Sequence, residues 1–373
     1  MKRVLFVSKP IAPPFHDGTK CLVRDVAAQL RAVSPVVLTT PEALSLLPHG
    51  VTGRAVYGSG GGFTPALLDN ARAAFSLLTG PRDDLWHFVF APNARTGQVA
   101  KGLRAVRRIP IVQTVASPPR RFADLNRLIF GDELVVQSRA TADALASAAR
   151  LEGFALPPVS VIPPPVPALE PPSAERIERA RAELGILPHE RIVLYPGDLE
   201  VSSGAEVTRS LVEPLRERMP EAVVVFAYRN KTPSAAGKAE QLKQLLQSQR
   251  VRITDRVGDM HALLAASSIV IFPVDDLWGK VDQPIVLLEA LALGVPCVVL
   301  NQGPLRDVEG AAKLATIDAR DWLEAISSLV VPSVARADAI AAGRTAASSV
   351  YASGVVARAY EAIYVRLLER RRS

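Results

Sequence analysis

The chain has 373 residues, of which 49% are hydrophobic and 22% charged, with a net charge of +7 and only two cysteines. This length and balance exclude a disordered chain and a small disulfide-stapled domain, and they favour two globular domains with a full core each. The basic excess lies in residues 1–165, with 19 Lys and Arg against 11 Asp and Glu, and it indicates either scattered surface arginine or attraction to an anionic partner.

In the first half, short apolar runs alternate with longer helical patterns. Strands are predicted over residues 3–8, 35–38, 85–90, 109–114, 133–137 and 159–162, and helices over 22–32, 65–78, 94–106 and 140–150. Continuous apolar strands separated by helices are typical of a parallel sheet covered on both faces. We therefore expect a first α/β domain over residues 1–165.

Six prolines between residues 163 and 172 predict a stiff linker, set at 166–175, and the alternation then resumes. Strands are predicted over 192–195, 222–227, 269–272 and 296–300, with helices including 233–249 and 260–266. These elements predict a second α/β domain over 176–345. One long helix is predicted over 337–370. The C-terminal range 346–373 is expected to be a crossover helix that returns to the first domain.

Residues 280–300 carry the most informative pattern in the chain. Pro284 suits the first turn of a helix that Asp282 or Gln283 caps and Gly294 ends. Glu289 is a lone acid in this otherwise apolar helix, and a buried carboxylate needs a partner. A helix N-terminus followed by a carboxylate about one and a half turns later suits a nucleotide diphosphate with its ribose.

On these residues the chain resembles the retaining glycosyltransferases of the GT-B fold, family 4 (glycosyl transferases group 1), over nearly its whole length. The most specific match is residues 284–296, and weaker matches lie at 9–20, 134–143, 161–166 and 194–197. The resemblance implies two Rossmann-like, doubly wound parallel-sheet domains facing a central cleft. It also implies a nucleotide-sugar donor held by the second domain and an acceptor held by the first.

The resemblance assigns Glu289 to the ribose hydroxyls and the amides near Ile285 and Val286 to the diphosphate. The family's phosphate-gripping Arg and Lys are missing from residues 197–205, so cations after another strand are expected to substitute for them. The complete donor-binding set is Gly18, Lys20, Arg229, Lys231, Lys280, Gln283, Pro284, Ile285, Val286 and Glu289.

The chain departs from the family near the transferred sugar. Val281 stands where the family commonly has a Glu, and Asp282 either takes the sugar-contacting role through a shifted loop or only caps the helix. No His follows the strand at 109–114, where many relatives have one, and His16 is the substitute. Asp282 and His16 are therefore the catalytic candidates, and Ser117, Arg120 and Arg121 are the candidates on the acceptor side.

The expected function is transfer of a hexose from a UDP- or GDP-sugar to a saccharide or lipid-linked acceptor, in cell-surface polysaccharide or glycolipid synthesis. The alternative is a catalytically degenerate relative that acts as a nucleotide-sugar sensor or assembly subunit. An epimerase is less well supported. Aromatic residues make up only 5% of the chain and no basic stripe stands out, which argues against a nucleic-acid-binding function.

No cofactor beyond the nucleotide-sugar co-substrate and no metal are expected. The first residues lack the pattern of a signal peptide, and no run reaches the roughly 20 apolar residues of a membrane span. We expect a cytoplasmic protein with peripheral contact to an acidic membrane through the first domain and the arginines at 370–372.

Overall fold

The computed structural model describes residues 1–15, 17–58, 66–229, 233–246 and 250–370. Two compact units are formed. The first contains Met1–Pro167, the short segment Trp278–Pro284 and the chain from Tyr351 onward, and the second contains Ala168–Leu277 and Ile285–Val350.

The described part of the first unit is built on a seven-stranded parallel sheet in the order β3-β2-β1-β4-β5-β6-β7. Every residue of the central strands β5 and β6 is buried, as expected for parallel strands covered on both faces. The strands are β1 (Lys2–Val7), β2 (Val33–Thr39), β3 (Thr52–Ala55), β4 (Leu85–Phe90), β5 (Ile111–Val115), β6 (Glu133–Val136) and β7 (Val159–Val161).

Five helices of this unit precede the proline-rich stretch in the described chain, and a 3-10 helix spans Pro41–Leu46. Side chains cap three of them: Asp17, Asn93 and Ser138 each accept a hydrogen bond from an N–H of the first helical turn. The helices are α1 (Gly18–Gln29), α2 (Leu67–Thr79), α3 (Ala94–Arg107), α4 (Leu125–Leu128) and α5 (Arg139–Glu152).

The second unit has a six-stranded parallel sheet among its described residues, in the order β10-β9-β8-β11-β12-β13. Its strands are β8 (Arg191–Tyr195), β9 (Ala222–Ala227), β10 (Val251–Thr254), β11 (Ser267–Phe272), β12 (Cys297–Leu300) and β13 (Ala312–Leu314). Its helices are α6 (Ala174–Glu183), α7 (Gly204–Arg218), α8 (Pro233–Leu246), α9 (Met260–Ala266), α10 (Ile285–Ala292), α11 (Ala319–Val330) and α12 (Val334–Ser349), with a 3-10 helix at Gly303–Asp307.

The last helix, α13 (Ser353–Arg370), belongs to the first unit and packs against α1. Its inward side chains join strands β1, β4 and β5 in one apolar core. The predicted single helix over 337–370 is wrong, because the chain leaves the helical path between Ser349 and Ser353. There the N–H of Val166 donates to the carbonyl of Tyr351 and the N–H of Ser353 donates to the carbonyl of Val166, so these groups pair with an extended segment instead of a helix.

The predicted α/β class with two parallel sheets is confirmed, and the predicted strands agree with the observed ones to within a few residues. The prediction missed β3, β10 and β13, which are edge strands only three or four residues long. The end of the predicted helix at 233–249 lies outside the described residues. Among the described residues no single helix is long and apolar enough to cross a membrane. Of the described helices, only α11 and α12 taken together, which meet at an 88° bend, have the length and apolar composition of a membrane span.

A buried polar network joins α13 to the sheet of the first unit. His87 on β4 contacts the Thr114 hydroxyl through Nε2 and the Tyr364 hydroxyl through Nδ1, each at 2.7 Å. Burial lowers the pKa of His87 to about 3, so its ring is neutral, with one nitrogen donating and the other accepting. Tyr360 lies 3.4 Å from the Thr114 hydroxyl and stacks on Tyr364. The network therefore links α13 to strands β4 and β5 within the first unit.

We expect Tyr364→Phe to lower the free energy of unfolding by about 1–3 kcal/mol, because it leaves a ring nitrogen of the buried His87 without its partner. Urea unfolding at neutral pH measures the change. The matched control is Tyr360→Phe, whose hydroxyl makes only the longer contact, and it should cost less. Equal effects of the two substitutions would contradict the assigned role of the His87 bond.

Candidate active site

Helix α10 and the turn after it have the geometry that the sequence predicts. The helix begins at Ile285, directly after Pro284, so the amides of its first turn, including those of Ile285 and Val286, have no carbonyl partner within the helix. Gly294 has a φ of +78°, and the N–H of Val295 bonds back to the carbonyl of Ala290, which together end the helix. A Cβ at Gly294 would lie 2.6 Å from the Arg344 guanidinium. The turn therefore requires glycine for both its conformation and its packing.

Glu289 finds its partner on α9. Its Oε1 lies 3.3 Å from Nε2 of His261, and the carboxylate is mostly buried. This hydrogen bond raises the pKa of His261 above its ordinary value, while partial burial acts in the opposite direction. The sequence placed a carboxylate in an apolar helix but gave no sign of the imidazole, because His261 lies 28 residues earlier in the chain.

The loop between β8 and α7 uses its acidic side chains internally. Asp198 accepts from the amides of Val201 and Ser202, and Tyr195 donates its hydroxyl to the carbonyl of Asp198 at 2.8 Å. The N–H and hydroxyl of Ser203 both donate to Asp275, which follows β11. Although burial pushes the pKa of Asp275 upward, these hydrogen bonds hold it below its ordinary value.

Two glycines let this loop lie against its strand. A Cβ at Gly197 would come within 2.1 Å of the Tyr195 ring, and one at Gly204 within 2.7 Å of its hydroxyl. The two glycines and the acidic side chains of Asp198 and Asp275 together fix the conformation of the loop. Arg229, which is expected to substitute for the phosphate-binding cations that this loop lacks, follows β9 and is exposed.

In the first unit, the loop from β1 to α1 encloses Lys20. Its side chain is buried and Nζ donates to the carbonyl of Ala12 at 3.1 Å. Burial lowers the pKa of Lys20. Gly18 is the first residue of α1, and Lys9 pairs with the capping residue Asp17 at 2.7 Å. The structure gives Lys20 a contact within the loop; its predicted donor contact stays a prediction.

The segment Trp278–Pro284 packs within the first unit at the carboxyl end of β6. Asp282 is fully buried and accepts a 2.6 Å hydrogen bond from the hydroxyl of Ser138. Gln283 donates to the carbonyl of Gln137 at 3.0 Å. Both partners come directly after β6, so hydrogen bonds hold the segment at two consecutive residues, Asp282 and Gln283. Burial lowers the pKa of Lys280, at the start of this stretch, to about 8.

The acceptor-side candidates follow β5 in the same unit. Ser117 is half-buried, whereas Arg120 and Arg121 are exposed. The Arg120 guanidinium lies over the Trp278 ring, 5.1 Å from its centre, which is a cation–π contact. The structure thus brings Arg120 to the same segment as Asp282. His16 and Lys231 lie outside the described residues.

Comparison with known families gives the site its context. Residues 190–332 match the model of the glycosyl transferases group 1 family, a range that contains α10 with Glu289 and the β8–α7 loop. A D-inositol 3-phosphate glycosyltransferase of Corynebacterium jeikeium (strain K411) is 25% identical over 266 residues. That alignment covers 66% of this chain and 60% of the relative's length.

Solved structures match over nearly the whole chain. The Anabaena protein Alr3699/HepE, solved in complex with UDP and glucose, is 16% identical, with a TM-score of 0.75 over 98% of this chain and all of that chain. WaaG, a glycosyltransferase involved in lipopolysaccharide biosynthesis, is 15% identical, with a TM-score of 0.63 over 97% of this chain and 99% of its own. The GT-B fold and the glycosyltransferase resemblance predicted from the sequence are confirmed.

Sequence reasoning missed the partners that hold the candidate residues in place. The serine and glutamine after β6 stood in a stretch that resembles the family, but nothing in the sequence connects them to residues more than 140 positions later. The Glu289–His261 pair was missed for the same reason. The only signal in the sequence was the predicted alternation of strands and helices. It indicates that the loops after the strands lie along one edge of a sheet, but not which residues pair there.

We expect the pKa of His261 to lie above 6.5 and to fall when Glu289 is replaced by Gln, because the carboxylate stabilises the imidazolium. A raised folded-state pKa means that the pair stabilises the protein below about pH 6.5, and that this contribution is lost as the pH rises through the folded-state value. NMR titration of the imidazole measures the pKa. Glu240→Gln, which removes an exposed carboxylate paired with Lys243 on α8, is the control and should leave it unchanged. An unaltered His261 titration in Glu289→Gln would refute the pairing.

Proposed function

We propose that the protein is a retaining glycosyltransferase that moves a hexose from a UDP- or GDP-sugar to a saccharide or lipid-linked acceptor. The observation that carries the proposal is α10: a helix N-terminus with Glu289 one turn in, inside the residues that match the group 1 family. HepE, which has the same fold, was solved with UDP and glucose. WaaG acts in lipopolysaccharide biosynthesis, which favours a role in cell-surface polysaccharide or glycolipid synthesis.

In this proposal α10 receives the diphosphate and Glu289 the ribose. The amides of the first turn, which have no carbonyl partner within the helix, and the helix dipole favour an anion at Ile285 and Val286. Glu289 contacts His261 through Oε1, and its second oxygen is suited to accept from a ribose hydroxyl. His261 holds the carboxylate in place and is a positioning residue. The nucleotide sugar is the co-substrate, and we propose no further cofactor.

Cations are proposed to balance the phosphate charge. Lys280, with its pKa lowered to about 8 by burial, remains mostly protonated at neutral pH, and a nearby phosphate would raise that pKa again. Arg229 is exposed after β9 and can reach an anion by its planar fork. On the acceptor side we propose Ser117, Arg120 and Arg121, of which the two arginines suit an anionic acceptor.

We expect Glu289→Ala to weaken binding of the nucleotide at least about tenfold, because a hydrogen bond to a charged group contributes ~1.5–3 kcal/mol. Calorimetry with UDP and with GDP measures the loss and identifies the base. Glu240→Ala is the matched control on the surface of the second unit and should bind as the wild type does. Unchanged nucleotide affinity in Glu289→Ala would overturn the donor assignment, and donor binding without turnover for any acceptor would favour the sensor instead.

Asp282 has two proposed roles that its contact with Ser138 separates. If the carboxylate acts by holding the segment Trp278–Pro284, Ser138→Ala and Asp282→Asn should both lower kcat by about tenfold or more, and Ser138→Thr, which keeps the hydroxyl, should restore it. If Asp282 contacts the transferred sugar, only Asp282→Asn should have that effect. Steady-state kinetics with the best donor and acceptor distinguishes the roles, and an unchanged kcat in both variants would exclude both.

A further inference from the structure

Helix α2 in the first unit presents an apolar face to solvent. Its buried residues Asp69, Ala73 and Leu77 recur every four positions and face the sheet. At about 100° per residue, the opposite side of the helix carries mostly apolar side chains. They form the α2 apolar face: Leu67, Leu68, Ala71, Phe75 and Leu78, of which Leu67 is 82%, Leu68 73% and Phe75 65% exposed.

The neighbouring helix α3 extends this surface. Arg107 near the end of α3 donates to the carbonyls of Leu78 and Gly80, which ties the C-terminal ends of the two helices together. Val99 and Val106 lie two turns apart on one side of α3 and are 50% and 68% exposed. Single exposed apolar residues are ordinary, but several along one face of a helix indicate an interaction surface.

The charges around the α2 apolar face are mostly positive. Residues 66–108 contain seven Lys and Arg and three Asp. All three acids are taken up inside the first unit: Asp69 pairs with Arg72, Asp83 with Arg54 and Asp84 with Lys2. Among the exposed cations of this region, Arg72 and Arg104 are paired with Asp69 and Asp132. The remaining exposed cations, the basic rim, are Arg82, Arg95, Lys101 and Arg108.

We propose that the α2 apolar face and the basic rim dock the protein on an acidic lipid bilayer, with Phe75 and the leucines entering the boundary between headgroups and acyl chains. A helix of 13 residues is about 20 Å long, enough to lie in the interface plane, where apolar burial and attraction of cations to anionic lipid add together. A second copy of the chain fits less well, because two identical surfaces would bring their basic rims together. The inference names the surface behind the expected membrane contact and holds whether or not the protein transfers sugar.

Flotation with vesicles tests the proposal on the full chain. We expect the wild type to float with vesicles of phosphatidylcholine and phosphatidylglycerol in equal amounts, and much less with phosphatidylcholine alone. Phe75→Ser with Leu78→Ser should lower the partition coefficient by about tenfold per side chain. Arg95→Gln with Arg108→Gln should lower it by about fivefold per cation at low salt. High salt should abolish the cation effect and leave the effect of Phe75 and Leu78.

Leu151→Ser is the matched control, since Leu151 is 86% exposed on α5, outside the surface. It should float as the wild type does, and thermal unfolding verifies that all variants are folded. A wild type that does not float, or a Phe75→Ser/Leu78→Ser variant that floats equally well, overturns the proposal. A wild type that elutes as a dimer in gel filtration, with the same variant monomeric, shows a second copy on the surface and also overturns it.

Discussion

Both sheets consist of parallel strands, and a parallel sheet must be covered on both faces. In the first unit this requirement brings the two ends of the chain together: α13, from the last residues, shares one core with α1 and strand β1. Helices α2 and α3 cover the other face through a second core. Because α13 is part of the sheet's covering layer, its tyrosines reach the buried His87 on the sheet.

The same strand direction explains where the polar residues gather. The carboxyl ends of parallel strands lie along one edge, and the loops that leave them carry buried polar residues, among them Ser138, Asp198 and Asp282. In this structure Asp198 accepts from loop amides and Asp282 from Ser138, and Glu289 on α10 pairs with His261, each within its own unit. In each unit the proposed site residues are therefore held in position before any substrate binds.

The inner side of helix α2 covers one face of the sheet with Ala73 and Leu77. The outer side of the same helix also carries apolar residues. Ala73 and Leu77 are buried against the sheet, whereas Phe75 is 65% exposed two residues away. The fold needs only the inner face, so the outer leucines and Phe75 need a separate explanation. Contact with a bilayer gives one, and the surrounding cations select acidic lipid.

The sequence by itself determined the α/β class, most strand positions and the helix that follows Pro284, with Glu289 on it, because apolar periodicity and the proline and glycine at helix ends are local signals. It did not show the break before α13, since the extended contact that fixes this break is made with Val166, far away in the chain. Nor could it pair Asp282 with Ser138 or Glu289 with His261. Those pairs were decided by the tertiary structure alone, because strand order and loop packing, not distance along the chain, bring their side chains together.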